Sequence, residues 1–320
     1  MGKVQMVKSR VLAGSDMDYV GICPASALEN EPKGRRPSEL LPNAKSIVVF
    51  GRRLISGSVQ AKFRMIENGV MNVAGSYSAH SYVLSINHLC MKETYDIAQY
   101  MEKTFGCYAM PLTNNVLQAV QPEGNYAPFF ADPMKAGLPI DLYKAAVAAG
   151  IGEMGWSHRV VTPDAGPRVY LCAIVTSLEF EEYDKPYSGK RLCDPRKCGV
   201  CAKVCPVHAL DPEEGVEWKA GEVSTKVVKL DVVKCSAACF GFRKETSRMT
   251  ANVVEGDHPT EEALAEALKK QFAAPGFQTL DHVAFYNCDQ CLLYCPVGNW
   301  AEQFADTGLS RGVDEEGVRK

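Results

Sequence analysis

Cysteine spacing is the feature that most restricts how this chain can fold. Thirteen of its 320 residues are cysteines, and nine of them lie from Cys193 to Cys295 inclusive. One motif has the pattern C-x4-C-x2-C-x3-C-P and ends at Cys205-Pro206; the other has the pattern C-x2-C-x3-C-P and ends at Cys295-Pro296. Thiolates spaced closely on a short loop can face one metal centre, so both motifs predict metal binding.

The shared C-x2-C-x3-C-P element is typical of the bacterial ferredoxin run, whose last cysteine ligates the neighbouring cluster. Two such motifs predict two 4Fe–4S clusters close to one another. Each cluster takes four thiolates, and the motifs supply seven, so we expect Cys235 to be the eighth ligand, with Cys239 as the second choice. The predicted ligands are Cys193, Cys198, Cys201 and Cys295 for one cluster, and Cys205, Cys235, Cys288 and Cys291 for the other.

One spacing departs from the usual run. Four residues separate Cys193 from Cys198 where two are usual, and a one-turn bulge containing Pro195 would absorb the extra pair. Zinc is the main alternative, because two CxxC pairs can form a four-thiolate site. The prolines and the x3 spacing favour clusters. The cysteines outside the predicted ligand set are expected to be small buried hydrophobic residues: Cys23, Cys90, Cys107, Cys172 and, if it is no ligand, Cys239.

Charge and hydropathy restrict the partners and the cellular compartment that we expect for this chain. Lys and Arg total 35 against 38 Asp and Glu, a net charge of −3, so no basic excess indicates a nucleic-acid partner. The chain shows neither a signal-peptide pattern nor an apolar run long enough to span a membrane. We therefore predict a cytoplasmic protein without a membrane span, in which thiols stay reduced and available to metal.

The pattern changes near residue 190. Residues 1–190 predict alternating helices and strands, and residues 191–320 predict cysteine-bearing loops and short helices, with one charged helix beginning after Thr260. The proline-rich segment 111–139 predicts a loop that walls a pocket. In the first part, strands are expected at 19–22, 46–51 and 168–176, and helices at 7–13, at 77–105 ending near Gly106, and at 142–149.

Several segments carry a family resemblance. They are Leu40–Val49 (LLPNAKSIVV), Ala148–Gly155 (AAGIGEMG), Thr162–Arg168 (TPDAGPR), Asp184–Pro186 (DKP) and the pair Lys234-Cys235 ahead of the second cysteine motif. In this order the chain resembles the corrinoid iron–sulfur reductases, which include reductive dehalogenases and epoxyqueuosine reductases.

The resemblance implies an α/β (α+β) fold: a nitroreductase-like domain in residues 1–190 that holds cobalamin, then a ferredoxin-like dicluster domain in residues 191–320. Electrons would pass from a low-potential donor such as ferredoxin or flavodoxin, through the clusters, to cobalt. The implied reaction is reductive cleavage, a dehalogenation or deoxygenation, of a small organic substrate, with no nucleic acid duplex as partner. The alternatives are a dicluster electron carrier or reductive activator, and a corrinoid-reducing protein without its own organic substrate.

Site residues for the implied chemistry follow from the same segments. Gly150, Gly152 and Gly155 would let a corrinoid approach the backbone at a helix-breaking turn, although a tight turn alone would also explain them. The resemblance places an acid where this chain has Ala136. Tyr126 is therefore the first candidate for proton donor and Asp132 the second; ordinary packing is the alternative for Tyr126.

Overall fold

The computed structural model describes residues 1–67, 89–113, 140–239, 241–246, 253–273 and 288–298. Its helices are α1 Lys3–Gly14, α2 Pro37–Leu40, α3 Ser56–Glu67, α4 Met91–Phe105, α5 Leu142–Ala148, α6 Val200–Lys203, α7 Val232–Cys239, α8 Glu261–Ala273 and α9 Gln290–Leu293. Its strands are β1 Tyr19–Pro24, β2 Ser46–Arg53, β3 Ala109–Thr113, β4 Glu153–Met154, β5 Val160–Val161, β6 Val169–Thr176, β7 Leu210–Ala220 and β8 Val223–Leu230. The architecture is thus mixed α/β with small sheets.

Four strands form an antiparallel sheet in the order β1–β2–β6–β3. Strand β6 lies inside it, with Cys172 opposite Phe50 of β2 and Ala173 opposite Leu112 of β3. All of β6 after Val169 is buried, as expected for a β-branched run covered on both faces. The three strands predicted in the first part are confirmed. The predicted loop at 111–139 is wrong at its start, because Pro111 continues the edge strand β3, where no ladder N–H is needed from it.

Helices cover the two faces of this sheet. Val11 of α1 and Met101 of α4 pack with Phe50 on one face, whereas Ala146 of α5 packs with Val175 on the other. Alternate residues of each strand therefore enter different hydrophobic layers. This arrangement places the C-terminal end of α5, and the segment that follows it, against one face of the sheet.

The helix ends match their local chemistry. The Asp141 carboxylate begins α5 by accepting hydrogen bonds from two backbone N–H groups of the first turn, at 2.9 and 3.1 Å. Gly106 ends α4 in the left-handed conformation, as predicted. The predicted helix at 77–105 is confirmed from Met91 onward, and its earlier part lies outside the described residues. Thr260 caps α8, as predicted, accepting a bond of 3.2 Å from a backbone N–H.

The cysteine-rich part contains a long β-hairpin that the sequence analysis did not predict. Strands β7 and β8 pair antiparallel and are joined at Gly221, whose φ is +55°. A positive φ at the turn suits the right-handed twist of a two-residue hairpin. Glutamates and lysines alternate with Val216 and Trp218 along the pair. The apolar face of the hairpin is therefore short, and the charged residues interrupt the alternation by which a strand is recognised in the sequence.

The hydrophobic core continues past residue 190. Ala220 and Val227 of the hairpin pack into the layer around α5. Val204 of the first cysteine motif, with Leu292 and Leu293 of the second, packs into the layer on the opposite face. Both cysteine motifs are therefore seated on the central sheet. The division at residues 190 and 191 stays a prediction.

Candidate functional site

The first group of thiols gathers four cysteines from distant parts of the chain. Burial, and then the neighbouring charges of Cys193, Cys295 and Cys198, raise the pKa of the Cys201 thiol to about 12. Cys295 comes from the second motif, almost a hundred residues further along the chain. The group contains the four residues predicted to hold one cluster; their ligand role stays a prediction.

The second group lines a cavity of about 570 Å³. Its members are the four residues predicted for the other cluster and Cys239: Cys205, Cys235, Cys239, Cys288 and Cys291. Cys239 hydrogen bonds to the thiols of Cys235 and Cys288, which lowers the pKa of both and raises its own. Its Sγ also lies 3.5 Å from the carbonyl oxygen of Cys288. Five thiols thus surround this cavity, and one cluster bound there would need only four of them as ligands.

The last cysteine of each motif lies with the other motif. Cys205 is near Cys288 and Cys235, and Cys295 is near Cys201. The two groups are also close together, since Cys201 of the first packs against the same hydrophobic cluster as Cys205 and Cys291 of the second. This crossed arrangement is the one that the C-P spacing predicts for two neighbouring clusters.

One glycine-rich turn helps to position the first group. After the turn at Gly150, the carboxylate of Glu153 accepts the backbone N–H groups of Leu192 and Cys193 at 2.8 and 2.6 Å. The backbone N–H of Trp156 then donates to the Cys193 Sγ at 3.3 Å. In the second group, a backbone N–H donates to the Cys205 Sγ at 3.2 Å. Such N–H···S bonds stabilise thiolates and tune cluster potentials.

Arg168 anchors the second motif. Its guanidinium is buried and donates to the carbonyl oxygens of Leu292, at 3.2 Å, and Cys295, at 2.8 Å, and also to that of Val297. Gly166, at φ +59°, leaves room for the Val297 carbonyl, which a Cβ would strike. The segment Thr162–Arg168, noted for its family resemblance, therefore has a direct structural purpose.

Arg159 is a residue that the sequence analysis missed. It lines the cavity of the second group and donates to the Tyr143 hydroxyl at 2.8 Å. Its charge adds to the Cys239 hydrogen bond in lowering the pKa of Cys235, and it opposes the burial that raises the pKa of Cys291. A fixed cation beside a group of thiolates offsets their mutual repulsion. The available sequence signal was its position just after the AGIGEMG turn, but no local pattern indicates that it faces cysteines from both motifs.

The three glycines predicted to contact cobalamin face the chain itself. A Cβ on Gly150 would strike the carbonyl oxygen of Lys185, and one on Gly152 that of Val161. At Gly155, a Cβ would meet the Val161 side chain and lie 3.9 Å from the Cys193 Sγ. Close packing against the chain therefore explains these glycines. Because protein atoms occupy the space beside them, this space does not fit a corrinoid. Their predicted cofactor role stays a prediction.

The two predicted proton donors, Tyr126 and Asp132, lie outside the described residues. Within the described ranges, no group of three His, Cys, Asp or Glu side chains is placed to hold a single metal ion. No helix in the part of the chain that the structure covers is long and apolar enough to cross a membrane.

Comparison with known proteins finds no matching family model but does find a curated relative. No protein-family model matches the chain. An epoxyqueuosine reductase from Listeria monocytogenes serovar 1/2a is 27% identical over 158 residues, which are 49% of this chain and 30% of that relative. The matched segment therefore spans less than a third of the relative's length.

Solved structures extend the comparison at low identity. An epoxyqueuosine reductase from Streptococcus thermophilus matches 92% of this chain and 66% of its own, with 14% identity and a TM-score of 0.49. An epoxyqueuosine reductase with a tRNA-Tyr epoxyqueuosine-modified stem loop matches 99% and 68%, with 14% identity and a TM-score of 0.48. A reductive dehalogenase described for B12-dependent dehalogenation matches 84% and 36%, with 18% identity and a TM-score of 0.45.

These relatives correct the predicted function and partners. The sequence analysis predicted a small organic substrate and no nucleic acid, but the curated relative is named for epoxyqueuosine, a modified nucleoside. The prediction was wrong because neutral overall charge says little about one local substrate site. The alternative, a carrier without its own substrate, fits a relative named as a reductase no better. The resemblance itself is confirmed: this chain is similar to an epoxyqueuosine reductase, one of the corrinoid iron–sulfur reductases.

Proposed function

We propose that this chain is a two-cluster iron–sulfur oxidoreductase that delivers electrons to a reductive site acting on a modified nucleoside in RNA. One observation carries the proposal: two groups of thiols lie side by side, and each contains the last cysteine of the other group's motif. Zinc sites do not require such an exchange, whereas paired 4Fe–4S clusters use it.

The donor set supports clusters in each group. The first group offers four thiols, and the second surrounds a cavity with five. Backbone N–H groups already point at Cys193 and Cys205, and Arg159 supplies a positive charge beside the second group. When bound, the clusters would accept and release single electrons. The protein would hold them at a short separation, and the buried Arg168 would keep the second motif in place.

The substrate is proposed from the relatives' names. An epoxyqueuosine-modified tRNA stem loop is the probe to test first. The resemblance implies cobalamin as the group that would carry the final reduction, but the contacts around Gly150 and Gly152 do not fit it. We therefore assign no catalytic step to it, and assign the described residues the tasks of cluster binding and electron transfer.

The test has two parts. Protein purified without oxygen should contain about eight irons and eight sulfides per chain, by the dicluster rule. The reduced protein should then convert the modified nucleoside in the stem loop, with and without added cobalamin, as followed by mass spectrometry of the digested RNA. Stoichiometric zinc with little iron would refute the cluster assignment. A fully loaded protein that leaves the stem loop unchanged in both conditions would refute the substrate assignment.

A further inference from the structure

The loop that carries the first cysteine motif is strongly basic, although the whole chain has a net charge of −3. Between residues 190 and 203 it contains five basic residues and one acidic residue, Asp194. All five basic residues are exposed, and we call them the basic rim: Lys190, Arg191, Arg196, Lys197 and Lys203. The rim is therefore a local positive surface on an acidic protein.

The unusual spacing of the motif creates this surface. The two extra residues between Cys193 and Cys198 form a turn, in which the N–H groups of Lys197 and Cys198 both bond to the Asp194 carbonyl at 3.1 Å. This is the bulge at Pro195 expected from the sequence. The turn projects Arg196 outward, with its side chain 82% exposed even though it lies 3.4 Å from the Asp194 carboxylate.

The same turn brings the first thiol group to the surface. Cys198 is exposed, whereas no cysteine of the second group is. Beside the turn lies a cleft of about 420 Å³, which Arg191 and Arg196 line together with Trp156 and Lys226. Glu213, on the hairpin, is the acidic side chain facing that cleft. Positive charge therefore dominates the surface around the most accessible thiol.

We propose that the basic rim is the docking surface for an acidic electron-donor protein, which reduces the first cluster through the edge at Cys198. This inference rests on the proposed two-cluster function. One electron leaves the donor's reduced iron–sulfur cluster and enters the chain's oxidised first cluster; no bond forms or breaks and no proton moves. Electron transfer needs close approach of the two centres, and redox partners meet through small, charge-steered interfaces. RNA would match the charge, but it would gain nothing from an exposed cluster edge.

The test measures electron entry in the iron-loaded protein. A reduced, acidic bacterial ferredoxin is mixed with the oxidised protein at low salt, and loss of visible absorption gives the second-order rate constant. The double variant Arg196→Glu/Lys197→Glu should react at least about tenfold more slowly and lose most of its salt dependence. The matched control is Lys269→Glu/Lys270→Glu, two exposed lysines on helix α8, and it should react like the wild type.

A second donor tests the role of charge. Reduced methyl viologen is a small cation, so the rim variant should accept its electron at least as fast as the wild type does. Equal ferredoxin rates for the rim variant and the control would overturn the inference. So would a rim variant that keeps its ferredoxin rate but no longer binds a tRNA stem loop. Failure of the proposed function is visible separately, as missing iron before any donor is added.

Discussion

The two thiol groups differ in their surroundings. The first reaches the surface at Cys198 and is surrounded by exposed basic side chains, whereas the second lines a cavity beside Arg159 and contains an additional thiol, Cys239. If both hold clusters, the chain has an outer centre suited to receiving electrons and an inner one suited to passing them on. Surface access and local charge, rather than ligand type, distinguish the two centres.

The largest effect is expected when a cysteine predicted to bind the cluster of the other motif is replaced by serine. Cys205→Ser should remove the second cluster, about half of the iron, although Cys205 belongs to the first motif. Cys295→Ser should remove the first cluster instead. Iron analysis with EPR of each variant distinguishes the two losses, and Cys107→Ala, outside both groups, is the control. Loss of the same cluster in both variants would show that these two cysteines do not bind different clusters.

The next prediction separates Cys235 from Cys239. The contact between the two thiols raises the pKa of Cys239 and lowers that of Cys235, so we expect Cys235 to be the thiolate ligand. Cys235→Ser should lower iron content or change the EPR signal of the second cluster. Cys239→Ser should keep the iron and alter the signal only slightly. The reverse result would make Cys239 the ligand.

Arg168 tests whether the second motif depends on the central sheet. Arg168→Leu leaves the buried carbonyl of Leu292 and the partly buried carbonyl of Cys295 without this donor, and should lower the free energy of unfolding by about 3 kcal/mol. Denaturant titration of the iron-loaded protein measures this change. Arg168→Lys retains the charge without the forked geometry and should be less harmful. Equal stability of both variants and the wild type would show that the motif is held in another way.

The smallest effect concerns the cation beside the inner group. Arg159→Gln removes one positive charge near Cys235 and Cys291. The reduced form of a cluster carries more negative charge, so this loss should lower the reduction potential of the second cluster and leave the first nearly unchanged. Potentiometric EPR titration follows both centres. If only the reduction potential of the first cluster changed, Arg159 would act on that cluster and the prediction would be contradicted.

The grouping of the thiols was predictable because motif spacing is a local property with a long-range consequence. The C-P cysteines indicated crossing between motifs, and the structure brings the same residues together. The strands of the central sheet were also predictable, since β-branched runs bounded by turns have few other structures. The hairpin β7–β8 was not, because its exposed charges interrupt the apolar alternation.

Contacts between distant segments explain the remaining differences. The positions facing Gly150 and Gly152 are carbonyl groups of Lys185 and Val161, which no local pattern reveals. Arg168 likewise serves residues more than a hundred positions away. The substrate was predicted wrongly for a separate reason: overall charge, fold and cofactor class do not determine what a reductase acts on.

Two adjacent clusters are the central claim, and EPR of the fully reduced protein tests it most directly. Two paramagnetic clusters held side by side should give a broadened, spin-coupled spectrum that integrates to about two spins per chain. Partial reduction should give the simpler spectrum of one cluster first. A single uncoupled signal at full reduction, or an EPR-silent protein that contains zinc, would contradict the account.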